Sequence, residues 1–515
     1  MKTLIKHPIS SNLIICLLLF LTAGICFNSP YINDKEVNFI IVSSILSLFH
    51  IKYLDKISSF IFSLLFLALY IALSLPNYFL FFTEIFLASY FFYKNKYKKY
   101  SLPLLIIALS FILHLFYIQN TSINTRQHDL GGILLYINQI SSNIKNFNPW
   151  NMYYLFHQPL HFITAAYILR FEYLLSLSNH IALEGLQYLS LFYVSATTIL
   201  FLLILRELKI RALTLYSLLI FFTFNPTLTL FSGYISDDTS VLFWSILVIY
   251  FIIKWYKKDN LKYLCFAAIS LGLGTLTKLS ILMLTPAISF LFLCKFLSTK
   301  DKRLCIFQIS TFIIIAVPLA LSWIIRNHVL FDMQFFNIPD TSPAGQNFRE
   351  LSLYNRLFDT SNLFTIFISA PSISDNNILL SLVKTELFGE WDLSITASYI
   401  KYPAAVLYAL NITLKILIFG IASSILFNYF TKKSINIFYP FFAIMYLTIF
   451  IYSIKYSIDF PYVCSSDFRL FAQINIAELI ILGYPIYTIK TNKLLMIGAI
   501  CYALLSTFIY SAILL

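Results

Sequence analysis

Apolar stretches recur along this chain almost from end to end, at about residues 12–27, 37–51, 57–75, 78–93 and 100–118 and onward to the C-terminus. Most are long enough to approach the roughly 20 residues that a helix needs to cross hydrocarbon. In lipid every backbone N–H and C=O must find a partner within its own segment, which selects helices. The pattern therefore predicts an all-α polytopic membrane protein with about 15 transmembrane helices. One apolar stretch departs from it. "LHFITAAYILRFEYLLSL", at about 160–178, carries Arg170 and Glu172, and a charge at the bilayer centre costs roughly 2.5–3.5 kcal/mol. It starts just after a Pro and reads as an amphipathic helix lying along the interface.

The charges give the chain a direction. With Lys2 and Lys6 inside, and with 160–178 not crossing, the basic hairpins at 52–56, 94–99, 206–211, 254–262, 295–303, 432–433 and 490–493 all fall on the inner side. Together with Lys2 and Lys6 they hold 23 of the 36 Lys and Arg. This positive-inside arrangement accounts for the formal charge of +13 without a nucleic-acid partner. It puts the C-terminus outside, together with outer loops at about 119–185 and 326–402, a short loop "SGYISDDTS" (232–240) and "IDFPYVCSSDFRLF" (458–471). Inner loops are short and featureless, so the chemistry is expected on the outer face.

Composition adds three constraints. Six of the seven Cys (Cys16, Cys26, Cys265, Cys294, Cys305, Cys501) lie in or beside apolar spans and only Cys464 falls in an outer loop, which excludes a disulfide framework and a CxxC metal site. No inverted repeat of the transporter kind is visible. The abundance of Ile, Leu, Phe, Tyr, Lys and Asn is what AT-rich coding gives and points to a bacterial plasma (inner) membrane.

Polar residues on the outer side are few enough to weigh singly. Arg126, Gln127, His128 and Asp129 stand in a row at the end of the fifth span. Asp129 reads either as a cap for the helix that "GGILLYINQISSNI" suggests or as a general base that takes a proton from an attacking hydroxyl. His128 is a metal ligand, a hydrogen-bond partner or a plain loop residue, and His157 and His161, which flank Pro159, fit no established ligand spacing. Asp237 and Asp238 suit a helix start, or a paired-carboxylate site that positions an acceptor or holds a divalent metal through oxygen. That metal is the one cofactor these residues leave room for. Lys278 (in "LGLGTLTKLSILML"), Arg326 and Arg469 can each snorkel to the interface, yet three cations at one membrane boundary match what a lipid-linked phosphate requires. In "SLVKTELFGEW" (381–391), Lys384, Glu386 and Glu390 sit among apolar residues and suit either an acceptor groove or solvent.

Taken in order, His128-Asp129, Pro159-Leu160-His161, Lys278, Arg326-Asn327 and Asp467-Phe468-Arg469 resemble the polyprenyl-phosphate-dependent glycosyltransferases of the GT-C fold, in particular the bacterial relatives of protein mannosyltransferases and lipid A aminoarabinose transferases. The resemblance covers about 100–515 and sets off 1–99 as additional N-terminal transmembrane helices. Gln158-Pro159 replaces the family's common Pro-Pro, and Leu470 stands where Tyr often follows Asp-Phe-Arg. The resemblance implies an inverting transfer from a polyprenyl-phosphate-linked sugar donor to a lipid, glycan or protein acceptor among membrane lipids. It assigns the donor phosphate to Lys278, Arg326 and Arg469 and the base to Asp129. The competing readings are a transporter or flippase, a polymerase or ligase of lipid-linked saccharides, and a scaffold without chemistry.

Overall fold

A computed structural model describes residues 101–127, 129–143, 148, 157–174, 179–335, 351–368, 375–431, 435–484 and 489–513. The additional helices expected in 1–99, and His128, lie outside the described residues. Among the described residues there are sixteen α-helices and no strand, and the molecule is an all-α polytopic membrane protein.

Eight of these helices are long and apolar enough to cross a membrane, or nine with a bent pair counted as one span. The bent pair is α5 (Ala212–Thr223) and α6 (Pro226–Gly233), which meet at 44°. Pro226 cannot continue the preceding helix, and Asn225 restarts it by accepting the Thr227 N–H at 2.9 Å. Two segments that hydropathy counts as spans form shorter helices, the 15-residue α8 (Leu261–Thr275) and the 9-residue α15 (Ile474–Leu482). Residues 160–174 of the expected interfacial segment form α3 (Leu160–Leu174), and 175–178 lie outside the described residues. Its Tyr167, Phe171 and Leu174 are exposed, while Arg170 donates to Ser141 on α2 (Leu130–Asn143). Both short helices lie in the first expected outer loop.

Helix ends organise the rest. α7 (Asp237–Lys258) has two Asp in its first turn and Lys257 and Lys258 in its last, and its 22 residues span about 33 Å. α10 (Lys302–Phe331) carries Arg326 near the end remote from its basic start. On α7 the acidic and basic groups are thus sorted to opposite ends. α8 packs between α7 and α10, and a Cβ at Gly272 would lie 2.5 Å from Leu319, so only a residue without a side chain permits that approach. The hairpin containing Lys278 is held at this crossing.

Candidate active site

Three backbone junctions bring distant segments together. The Gln127 side chain accepts the Ile235 N–H at 2.9 Å and donates to the Ile235 carbonyl at 3.4 Å, pinning the turn that follows α1 (Ser101–Asn120) against the start of α7. Leu160, first residue of α3, donates its N–H to the Leu276 carbonyl at 2.9 Å, which seats α3 on the Lys278 turn. Thr385, on α12 (Ile378–Phe388), accepts the Phe468 N–H at 2.9 Å. The chain leaves α12 through Gly389, whose φ of +62° and proximity to Trp391 exclude a Cβ, and this turn delivers Glu390.

Arg469 is the centre of what these junctions assemble. Its Nε donates to Asp467 at 2.9 Å, Nη1 to Asp238 at 3.2 Å and Nη2 to Asp129 at 2.9 Å. The Asp238 and Asp467 side chains are 0% and 2% exposed, whereas that of Asp129 is 44% exposed. Lys278 pairs with Asp238 and, at 3.3 Å, with Asp237. Ser236 caps α7 by accepting the Asp238 N–H at 3.1 Å, so the two Asp serve the helix start and the cluster together. Asp129 precedes α2 with φ +57°, a backbone region that non-glycine residues seldom enter. Burial works against the Arg469 charge, and the carboxylates of Asp129, Asp238, Asp467 and Glu390 overcome it, holding the guanidinium firmly protonated. Glu390 is close enough to Asp467, Arg469 and Asp129 to feel their charges, and burial raises its carboxyl to about 8.

Histidines line the other side. His161 meets Ser240 at 3.2 Å through Nδ1, and burial lowers it to about 4 against the pull of Asp237 and Asp238, so its ring is neutral at pH 7. His157 Nδ1 stands 3.9 Å from Asp237. Among the described residues no group of three or more His, Cys, Asp or Glu is placed to hold a metal ion. Lys278 engages Asp237 Oδ1 and Asp238, and Arg469 engages Asp129, Asp238 and Asp467.

Two predicted site residues lie apart from this centre. Arg326 stacks over Trp323 and Phe331 at 4.4 and 5.1 Å and donates to Asn327 at 2.7 Å. Tyr136 feels the charges of both Arg326 and Asp237. Glu386 belongs to a second buried network. Lys415, on α13 (Lys401–Phe430), lies 2.8 Å from Glu386 and 2.6 Å from Glu478 on α15. Asn411 and Asn225 donate to Glu386 at 3.0 and 3.2 Å. A largely apolar groove of about 340 Å³ runs alongside, lined by Leu382, Ile412, Phe419, Phe450 and Phe468 and by Lys415. Phe468 faces this groove while its neighbour Arg469 faces the acidic centre. Sequence reasoning missed Gln127 as the pin and Asp467 as a clamp on Arg469; their polar character was visible, but their partners lie 108 and 2 residues away, and only the first needs the fold to be found.

Residues 176–333 match the dolichyl-phosphate-mannose-protein mannosyltransferase family. The matched stretch carries Asp237, Asp238, Lys278 and Arg326, while Asp129 and Arg469 lie outside it in the flanking sequence. No curated protein matches the chain. With the helical membrane architecture, the GT-C match supports a membrane glycosyltransferase that uses a polyprenyl-phosphate-linked sugar donor.

Proposed function

We propose that this protein transfers a sugar, with inversion, from a polyprenyl monophosphate to an acceptor hydroxyl on the outer face of the membrane, with Asp129 as the general base. The observation that carries this reading is the convergence of Asp129, the most exposed carboxylate of the cluster, with Lys278 and Arg469 at one end of the spans. Asp129 takes the acceptor proton as the hydroxyl oxygen attacks the anomeric carbon. The bond from that carbon to the phosphate oxygen breaks on the opposite face, and the phosphate leaves on its lipid. Lys278 and Arg469, with Arg326 at the edge, neutralise the charge that develops there. Asp237 and Asp238 hold the cations in place, His161 and Glu390 border the acceptor side, and the apolar groove beside Phe468 takes the first isoprene units of the donor. Basic residues at the far ends of the same helices support an outer location under the positive-inside rule. The matched family's name gives mannose as the sugar and a protein as acceptor, and that pair is the first to test.

The test is sugar transfer from polyprenyl-phosphate donors by the purified protein in lipid, comparing wild type with a folded Asp129→Asn variant. A loss of about a hundredfold or more is expected for removal of a general base. Full activity in the variant moves the base to Asp237 or Asp238. A second reading, a transporter or flippase of lipid-linked saccharides, draws on the bent α5–α6 pair and on the Lys415 network inside a span. Wild type that transfers nothing from any monophosphate donor, but moves a labelled lipid-linked sugar between leaflets, favours that reading.

A further inference from the structure

Arg469 makes three carboxylate contacts, and they are not equivalent. Its Nε and Nη1 are turned to Asp467 and Asp238, whose side chains are buried, and its backbone N–H donates to Asp467 at 3.1 Å as well. Its Nη2 reaches Asp129, which faces solvent. An incoming anion displaces the exposed contact at least cost, because the carboxylate it releases is already partly hydrated, whereas the buried ones would be left without a counter-charge. A carboxylate held by a guanidinium is also a poor proton acceptor, since the cation stabilises its ionised form. Next along the chain, the Phe468 ring lines the apolar groove and lies 5.0 Å from Lys415 Nζ. An occupant of the groove and an anion at Arg469 therefore press on adjacent residues of one short 3-10 segment (Phe468–Phe471).

We infer that Arg469 is a donor-released lock on Asp129: in the empty protein it masks the carboxylate, and the donor's phosphate takes over Nη2 and releases it. This rests on the proposed function and adds regulation to it. Asp467 and Asp238 are the positioning residues that retain Arg469 while it changes its third partner. The donor is then an obligatory first ligand, and the base becomes competent only when there is a sugar to transfer.

The lock is tested on the full chain in lipid nanodiscs. Carboxyl labelling of Asp129 by a water-soluble carbodiimide and an amine is followed by peptide mass spectrometry, with and without a polyprenyl monophosphate lacking sugar. Binding of the same radiolabelled lipid is measured in parallel. Wild type is expected to label slowly alone and about tenfold faster with the lipid, because labelling follows the protonated fraction and release from an Arg shifts a carboxyl by about one unit or more. Arg469→Gln is expected to label fast in both conditions. Should that variant fail to fold, the wild-type pair of measurements decides alone. Lipid that binds without accelerating labelling overturns the lock and leaves the proposed function standing. So does wild type that labels as fast as Arg469→Gln before any lipid is added. Absence of polyprenyl-phosphate binding overturns both.

Discussion

Replacing Lys415 by Met removes the cation that lies between Glu386 and Glu478, 2.8 and 2.6 Å from its Nζ. The two carboxylate side chains are only 2% and 5% exposed, and Lys415 itself is 19% exposed toward the groove. Removing one partner of a buried ion pair costs about 3–5 kcal/mol, because the remaining charge has neither water nor counter-ion. The reach of Lys415 into the groove places the expected loss at the lower end, about 3 kcal/mol. The neutral Asn411 and Asn225 donors to Glu386 remain but cannot replace a charge. Steric trapping of the full chain in bicelles measures this loss directly. A triple variant with Lys415→Met, Glu386→Gln and Glu478→Gln is expected to recover most of it, since burying uncharged amides carries a far smaller desolvation cost than burying unpaired carboxylates. The exposed Lys455–Asp459 pair, 65% and 47% exposed, is the internal control, and Lys455→Ala is expected to change stability by less than about 0.5 kcal/mol. Lys415→Met within that margin of wild type, or a triple variant no better than the single one, refutes the argument that charge burial governs this network.

Three further outcomes follow from the geometry. Gln127→Ala removes both bonds to the buried Ile235 backbone, a cost of about 1–3 kcal/mol, and separates Asp129 from the start of α7. Transfer activity of the still-folded variant should fall by about tenfold, the factor that 1.4 kcal/mol of misplacement gives, and unchanged activity removes Gln127 as the pin. Burial keeps the Glu390 carboxyl protonated to about 8, against 4.5 in the unfolded chain. The folded state therefore holds a proton that the unfolded state has released, and stability declines as pH rises from 4.5 toward 8. Glu390→Gln should flatten that decline in thermal-unfolding scans, and an unaltered slope assigns it to another group. Finally, Cys464 is exposed beside the Arg469 segment. A membrane-impermeant maleimide should label it in intact cells, with Cys464→Ser as control, and labelling only after permeabilisation reverses the proposed sidedness.

The sequence by itself determined the solvent of this protein. Continuous apolar runs with charges confined to their ends allow only helices in lipid, because a backbone in hydrocarbon has no other way to satisfy its hydrogen bonds. Arg170 and Glu172 mark 160–178 as a segment expected not to cross, and its described part forms α3. The candidate charges Asp129, Asp237, Asp238, Lys278 and Arg469 were legible one by one, as polar groups that a membrane chain keeps only at a price. Their pairing was not. Asp129 and Arg469 are 340 residues apart, and nothing local says that the Gln127–Ile235 and Leu160–Leu276 bonds carry them to one end of the bundle. Local pattern likewise put Glu386 and Glu390 in one amphipathic stretch, four residues apart. The left-handed turn at Gly389 sends Glu390 toward Arg469, while Glu386 stays on the α12 face that meets Lys415. Periodicity and charge report what each segment must do with its own backbone and side chains; which charges meet is settled by helix packing, where one glycine, one proline and a few backbone hydrogen bonds fix the register between segments.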